Sequence, residues 1–257
     1  MISEKNIKQI SNIILKLIYP DNLNCIICNM PISRKNKYSI CRPCMEKIMF
    51  IHESCVKCGK PTDKNDEENK KYSEACGYCK DKRFLFDRNI SFLEYGDISK
   101  KIVFKLKYYN KTYIAKIAAE IIYDSMKKYE REELEMADFI TFVPLSEKRI
   151  RIRGFNQAEK IAYYLSLLTD IEEKNILKRN RDTKKLYGIK SSGRKKELAG
   201  AFSIIDSEKE NIYGKRIIVV DDIFTTGATM DEIAKTLKLC GVKRVVSLTL
   251  LTGKYDK

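Results

Sequence analysis

Ile217-Ile218-Val219-Val220-Asp221-Asp222-Ile223-Phe224-Thr225-Thr226-Gly227-Ala228-Thr229 is the stretch from which the rest of the 257-residue chain can be read. Four consecutive β-branched apolar residues suit a central parallel strand, covered on both faces. That strand delivers Asp221 and Asp222 at its C-terminal end, and a loop of small residues then turns into a helix beginning near Met230. Ligands of open parallel sheets bind outside the carboxyl ends of the strands, and a loop entering a helix N-terminus offers its backbone N–H groups to an anion. Gly227 permits close approach, while Thr225, Thr226 and Thr229 add hydroxyls beside Ala228. Two carboxylates would repel the anion itself, so they are expected to face hydroxyls. A ribose 5-phosphate, whose ring hydroxyls donate to Asp221 and Asp222, satisfies both halves. An ordinary strand-turn-helix with acidic turn residues seldom produces the whole string, and a Walker loop is excluded because no Gly-Lys-Ser/Thr follows the glycine.

Further strands are predicted at Ser91 to Tyr95, Phe139 to Val143 and Val245 to Leu251, beside Arg216 to Val220, with another at Gly200 to Ile205. Helical periodicity occupies Tyr113 to Tyr129, Asn156 to Leu168 and Thr229 to Leu239. Strands alternating with helices predict an α/β fold with a mostly parallel central sheet. The strand at 139–143 runs into Pro144-Leu145-Ser146 and then Lys148, Arg149, Arg151 and Arg153. A short loop followed by four cations is a candidate diphosphate grip formed by Leu145, Ser146, Arg149 and Arg153. The alternative is a solvated basic turn.

Eight of the nine cysteines form four Cys-x-x-Cys pairs, Cys25/Cys28, Cys41/Cys44, Cys55/Cys58 and Cys76/Cys79, and Cys240 stands alone. Each pair is a knuckle that brings two thiolates to one ion, and two knuckles complete a tetrahedral zinc site. The intervals of 12, 10 and 17 residues fit pairing in sequence and equally a cross-braced arrangement. Four-sulfur coordination leaves no open position, so two structural zinc ions are expected. Residues up to Lys80 hold few large apolar groups and a hydrophilic insert, Lys64 to Lys71, and need such a staple. The composition changes at about residue 82, which predicts a metal-bound domain over 1–82 and an α/β domain over 83–257.

Lys and Arg outnumber Asp and Glu by 50 to 35, a formal charge of +15. Eight thiolates subtract eight charges and two dications restore four, so the metallated chain still carries +11. A polyanionic partner, a phosphorylated ligand or an anionic surface suits that balance. The apolar stretch from Ile10 to Tyr19 is interrupted by Ser11, Asn12 and Lys16, so no membrane span is predicted. Glu4 speaks against a signal peptide, and a cytoplasmic location with reduced thiols is expected. Basic runs with aromatics occur at 100–116, including Lys105 and Lys107, and at 174–196, including Lys184, Lys185 and Arg194. Such runs can track a nucleic-acid backbone, or can be a solvated face of a Lys-rich chain.

The segment 217–229 resembles the phosphoribosyl diphosphate (PRPP) signature of type I phosphoribosyltransferases. Arg153-Gly154-Phe155-Asn156-Gln157-Ala158 after Pro144-Leu145-Ser146 resembles the ComF family, in which a double zinc ribbon precedes a phosphoribosyltransferase domain. Phe104-Lys105-Leu106-Lys107-Tyr108, Thr183, Arg194, Gly200 and Phe202 agree with that pattern, whereas Leu186 and Glu197 stand where the family usually has Gln and Asn. The resemblance implies PRPP bound with magnesium, and a role inside the cell in the uptake of single-stranded DNA with a helicase partner. Catalysis would displace diphosphate at the anomeric carbon through positioning and charge stabilisation. Two alternatives stay open: a nucleobase-salvage or other small-molecule phosphoribosyltransferase, and a non-catalytic DNA- or helicase-binding module on a retained scaffold.

Overall fold

The structure, a computed structural model, describes residues 23–62, 76–108, 112–183 and 191–253. Two compact units divide the chain, Met1–Lys47 and Ile48–Lys257.

The first unit is built on a knuckle. Cys25 N–H donates to Met30 O (2.8 Å), Asn29 N–H donates to Cys25 O (2.9 Å), and Asn24 bridges Pro31. Asn29 takes the left-handed conformation (φ 64°) that closes the turn, which short polar side chains tolerate. A second knuckle at α1 (Arg42–Met45) begins on Cys41 and carries Pro43 in its first turn, where no backbone donor is lost.

The second unit repeats the first knuckle and adds the sheet. Cys55 N–H donates to Lys60 O and Gly59 N–H to Cys55 O, both at 2.9 Å, and Ser54 bridges Pro61. Cys55, Cys58 and Cys79 share a core with Phe84, Phe86 and Phe224, so the composition change near residue 82 falls within this unit.

The sheet has the order β1-β6-β5-β2, all parallel, from β1 (Arg88–Glu94), β2 (Phe139–Phe142), β5 (Arg216–Phe224) and β6 (Arg244–Thr252). It is connected through α2 (Ser99–Tyr108), α3 (Tyr113–Tyr129), α4 (Arg131–Glu135), α5 (Glu147–Arg153), α6 (Gln157–Thr169), α7 (Ser191–Leu198) and α8 (Ala228–Leu239). A separate two-stranded antiparallel sheet pairs β3 (Leu177–Arg179) with β4 (Phe202–Ile204). The strand expected at 200–205 is therefore β4, paired outside the main sheet. Helices α3 and α6 pack against each other, while Met230, Ile233, Ala234 and Leu237 of α8 join Ile217 and Val219 in one core.

Strand β5 runs past Val220 to Phe224, farther than its apolar run. β6 sustains it, with Asp221 opposite Thr249 and Phe224 opposite Thr252. Among the described residues no helix is long and apolar enough to cross a membrane.

Candidate ligand site and metal centres

The eight cysteines form two groups, Cys25, Cys28, Cys41 and Cys44, and Cys55, Cys58, Cys76 and Cys79, with the sulfurs of each within 4.8 Å of one another. Pairing is sequential and not cross-braced. The Sγ separations of 3.6 Å (Cys28–Cys41), 3.6 Å (Cys55–Cys79), 3.5 Å (Cys58–Cys76) and 3.8 Å (Cys76–Cys79) can be set against a sulfur tetrahedron around zinc. With Zn–S near 2.3 Å its edges are about 3.8 Å. Backbone N–H groups of Ile27 and Cys41 donate to Cys25 Sγ, and that of Cys76 to Cys55 Sγ, each at 3.4 Å. These bonds orient thiolate ligands and spread their charge. Both sets fit structural zinc.

At the carboxyl end of β5 the acidic pair is asymmetric. Asp222 is buried, and its Oδ2 lies 2.6 Å from Lys107 Nζ on α2. Asp221 is half-buried and accepts the Asp222 N–H at 2.8 Å. Burial, and then the charge of Asp222, push the Asp221 carboxyl up to about 7, against the opposing pull of Lys107 and Arg179. Asp222 is thus paired with a lysine, while the neighbouring Asp221 titrates near neutrality. Lys107, read from sequence as a nucleic-acid candidate, is the counter-ion of this pair, whereas Lys105 on the same helix is half-exposed.

Arg179, at the end of β3, was not singled out by any local pattern. Burial and the neighbouring charge of Arg149 hold it down to about 10, and Asp221 pulls the other way. Its guanidinium donates to Thr183 Oγ1 and lies 5.2 Å over the Phe202 ring, while Arg149 donates to Thr183 O at 3.3 Å. Arg179, close to Asp221, and Arg149 next to it form an anion-seeking pair of guanidiniums. Of the other two arginines, Arg153 donates to Gln157 Oε1 (2.9 Å), and Arg151 pairs with Glu147 (3.2 Å) on an exposed face.

The loop Pro144–Leu145–Ser146 is tied down by the residues that follow α5. Gly154 ends that helix in the left-handed conformation (φ 79°). Phe155 is buried, and Asn156 both caps α6 through Ala158 N–H (3.1 Å) and donates to Val143 O (2.9 Å). Leu145 is half-buried. Ser146 Oγ is buried with no hydrogen-bond partner among the described residues, a polar group that a ligand atom could satisfy.

The segment Thr225–Gly227 follows β5 directly, and Gly227 (φ 79°) caps α8. A Cβ there would lie 2.9 Å from both Phe224 and Phe84, so the glycine is required by its conformation and by space. Arg194 donates to Thr225 Oγ1 at 2.9 Å, which ties α7 to the loop. Ala228 is buried, and Thr226 and Thr229 are half-buried. Lys184 and Lys185 lie outside the described residues.

Residues 14–80 match the double zinc ribbon domain model, and residues 150–257 match the phosphoribosyl transferase domain model. Competence protein F of Haemophilus influenzae is 30% identical over 228 residues, 87% of this chain and 94% of that protein. This chain belongs to the ComF family. Other relatives are DNA utilization protein YhgH of Salmonella typhimurium, 28% identical over 86% of this chain and 93% of its own length, and competence protein ComFC of Streptococcus pneumoniae, 25% identical over 89% and 100%. ComF membership agrees with the order of parts along the chain: cysteine knuckles first, then a parallel sheet with an acidic pair and small-residue loop.

Proposed function

We propose that this ComF protein binds PRPP and works with incoming single-stranded DNA inside the cell, beside a helicase. The reading is carried by one juxtaposition: Asp221 and Asp222 lie in the carboxyl-terminal part of a parallel strand that ends at Phe224 and leads directly into Thr225–Thr229, which opens α8. In this reading the ribose hydroxyls donate to Asp221 and Asp222. The 5-phosphate takes backbone N–H groups of Thr225, Thr226, Gly227, Ala228 and Thr229. The diphosphate is held by Leu145 and Ser146 backbone and hydroxyl groups with Arg149 and Arg153, and the Arg149–Arg179 cluster supports that end. Magnesium arriving with PRPP supplies charge neutralisation on the diphosphate.

Transfer, where an acceptor is supplied, breaks the bond from the anomeric carbon to diphosphate oxygen and forms one to the acceptor. Diphosphate leaves with the electron pair. No protein nucleophile is needed. The names of the relatives support a role with DNA, and the formal charge of +15 suits a polyanion. Lys105 and Arg194 are assigned to that contact, with Lys184 and Lys185. The test is release of diphosphate from PRPP by the zinc-loaded chain, with and without single-stranded DNA. Release that DNA stimulates is expected, and PRPP left intact under every condition would reject the transfer step.

A further inference from the structure

The last cysteine knuckle does more than fold its own strand of chain. Tyr78 lies between its ligands, in Cys76-Gly77-Tyr78-Cys79, and its hydroxyl donates to Thr225 O at 3.3 Å. The chain leaving the knuckle then runs under the same loop. Phe84 abuts Gly227, stacking on Phe86 with ring centroids 4.7 Å apart, and Leu85 N–H donates to Asp231 Oδ1 (2.7 Å) in the first turn of α8. Cys55, Cys58 and Cys79 belong to the same buried core as Phe84, Phe224 and Ala228. Three separate attachments therefore join one metal centre to the carbonyl, the glycine and the helix turn of one loop.

A trans peptide points its C=O and N–H in opposite directions. Fixing Thr225 O at Tyr78 consequently fixes the direction of the Thr226 N–H, a donor the loop offers to an anion. We infer that Tyr78 is a positioning residue through which the second four-cysteine centre, and not the first, holds the 225–229 loop ready for a phosphate. Loss of that metal, by chelation or thiol oxidation, loosens the anion site while the first centre stays loaded. The inference rests on the PRPP reading for the identity of the anion, but not for the brace itself.

Amide hydrogen exchange on the full chain separates the two. Tyr78→Phe removes only the hydroxyl and keeps the ring and all eight ligands. It should retain both zinc ions, speed exchange at 226–229 about fivefold, the equivalent of one ordinary hydrogen bond, and leave 217–220 of β5 at the wild-type rate. Cys76→Ser, measured for zinc content alongside, should open the loop further, whereas Cys28→Ser in the first centre should not. PRPP affinity by calorimetry should fall in the same order. An unchanged loop in Tyr78→Phe, or a loop that opens in Cys76→Ser only in step with β5, would overturn the brace. A loop that responds in a wild-type background that takes up no PRPP would keep the brace and reject the ligand.

Discussion

With its Nζ 2.6 Å from Asp222 Oδ2, Lys107 neutralises the buried member of the carboxylate pair, and the half-buried Asp221 beside it is left to titrate near 7. Lys107→Met would leave two adjacent acids with one fewer cation. We expect a loss of about 3 kcal/mol at pH 8 in urea denaturation, shrinking toward pH 5 as Asp221 takes up its proton and the repulsion within the pair is relieved. The sign for Asp221 follows from its raised value. Ionising it costs the folded state, so its contribution to stability declines as pH rises from about 4 through 7 and is level above that. Binding runs the other way, because ribose hydroxyls donate to the carboxylate form. PRPP affinity should climb between about pH 6 and 8 in the wild type, after allowance for the ligand's own phosphate ionisation, and Asp221→Asn should flatten that part of the profile. A wild-type profile identical to that of the Asn variant would show that Asp221 does not face the hydroxyls. Both acids were legible in the sequence as a pair at a strand end. Their inequality was not, since it depends on a lysine more than a hundred positions earlier.

The repeated knuckle shows what one element can demand of one residue. Asn29 and Gly59 occupy the same place in the two copies with φ of 64° and 65°, yet a Cβ at Gly59 would lie 2.5 Å from Asn89 O on β1. Conformation alone admits asparagine, and packing on a neighbouring backbone does not. Gly59→Ala should cost about 3 kcal/mol and weaken zinc retention, whereas Asn29→Gly should stay within about 1 kcal/mol, both measured by thermal melting of the zinc-loaded chain. Elements held by local pattern were readable in advance. Tyr113–Tyr129 has the predicted bounds, and α6 begins one residue after the Asn156 that caps it. Elements set by partners were not. β5 extends through its acidic residues because β6 pairs with it, and β3 has three residues, too few for a periodic signal, yet it carries Arg179.

At the scale of the whole molecule, the cysteine spacing required metal but left its pairing open, and only the folded chain brings each four sulfurs within 4.8 Å. Because small metal-bound modules draw much of their folding energy from the ion, chelation should unfold the knuckles and lower the melting temperature of the unit that contains Cys55, Cys58, Cys76 and Cys79. The charge of +15 makes a second whole-molecule expectation. Affinity for single-stranded DNA should fall with salt, at a logarithmic slope of about −0.7 for each phosphate neutralised, and a flat dependence would exclude the basic faces as its binding surface. The central claim, however, concerns the acidic pair and the loop that follows it. It is tested most directly by calorimetric titration of PRPP with magnesium into the zinc-loaded chain, beside the double variant Asp221→Ala/Asp222→Ala. Binding by the wild type that is lost in the variant is the predicted result. Absence of binding by the wild type, or equal binding by both proteins, would contradict it.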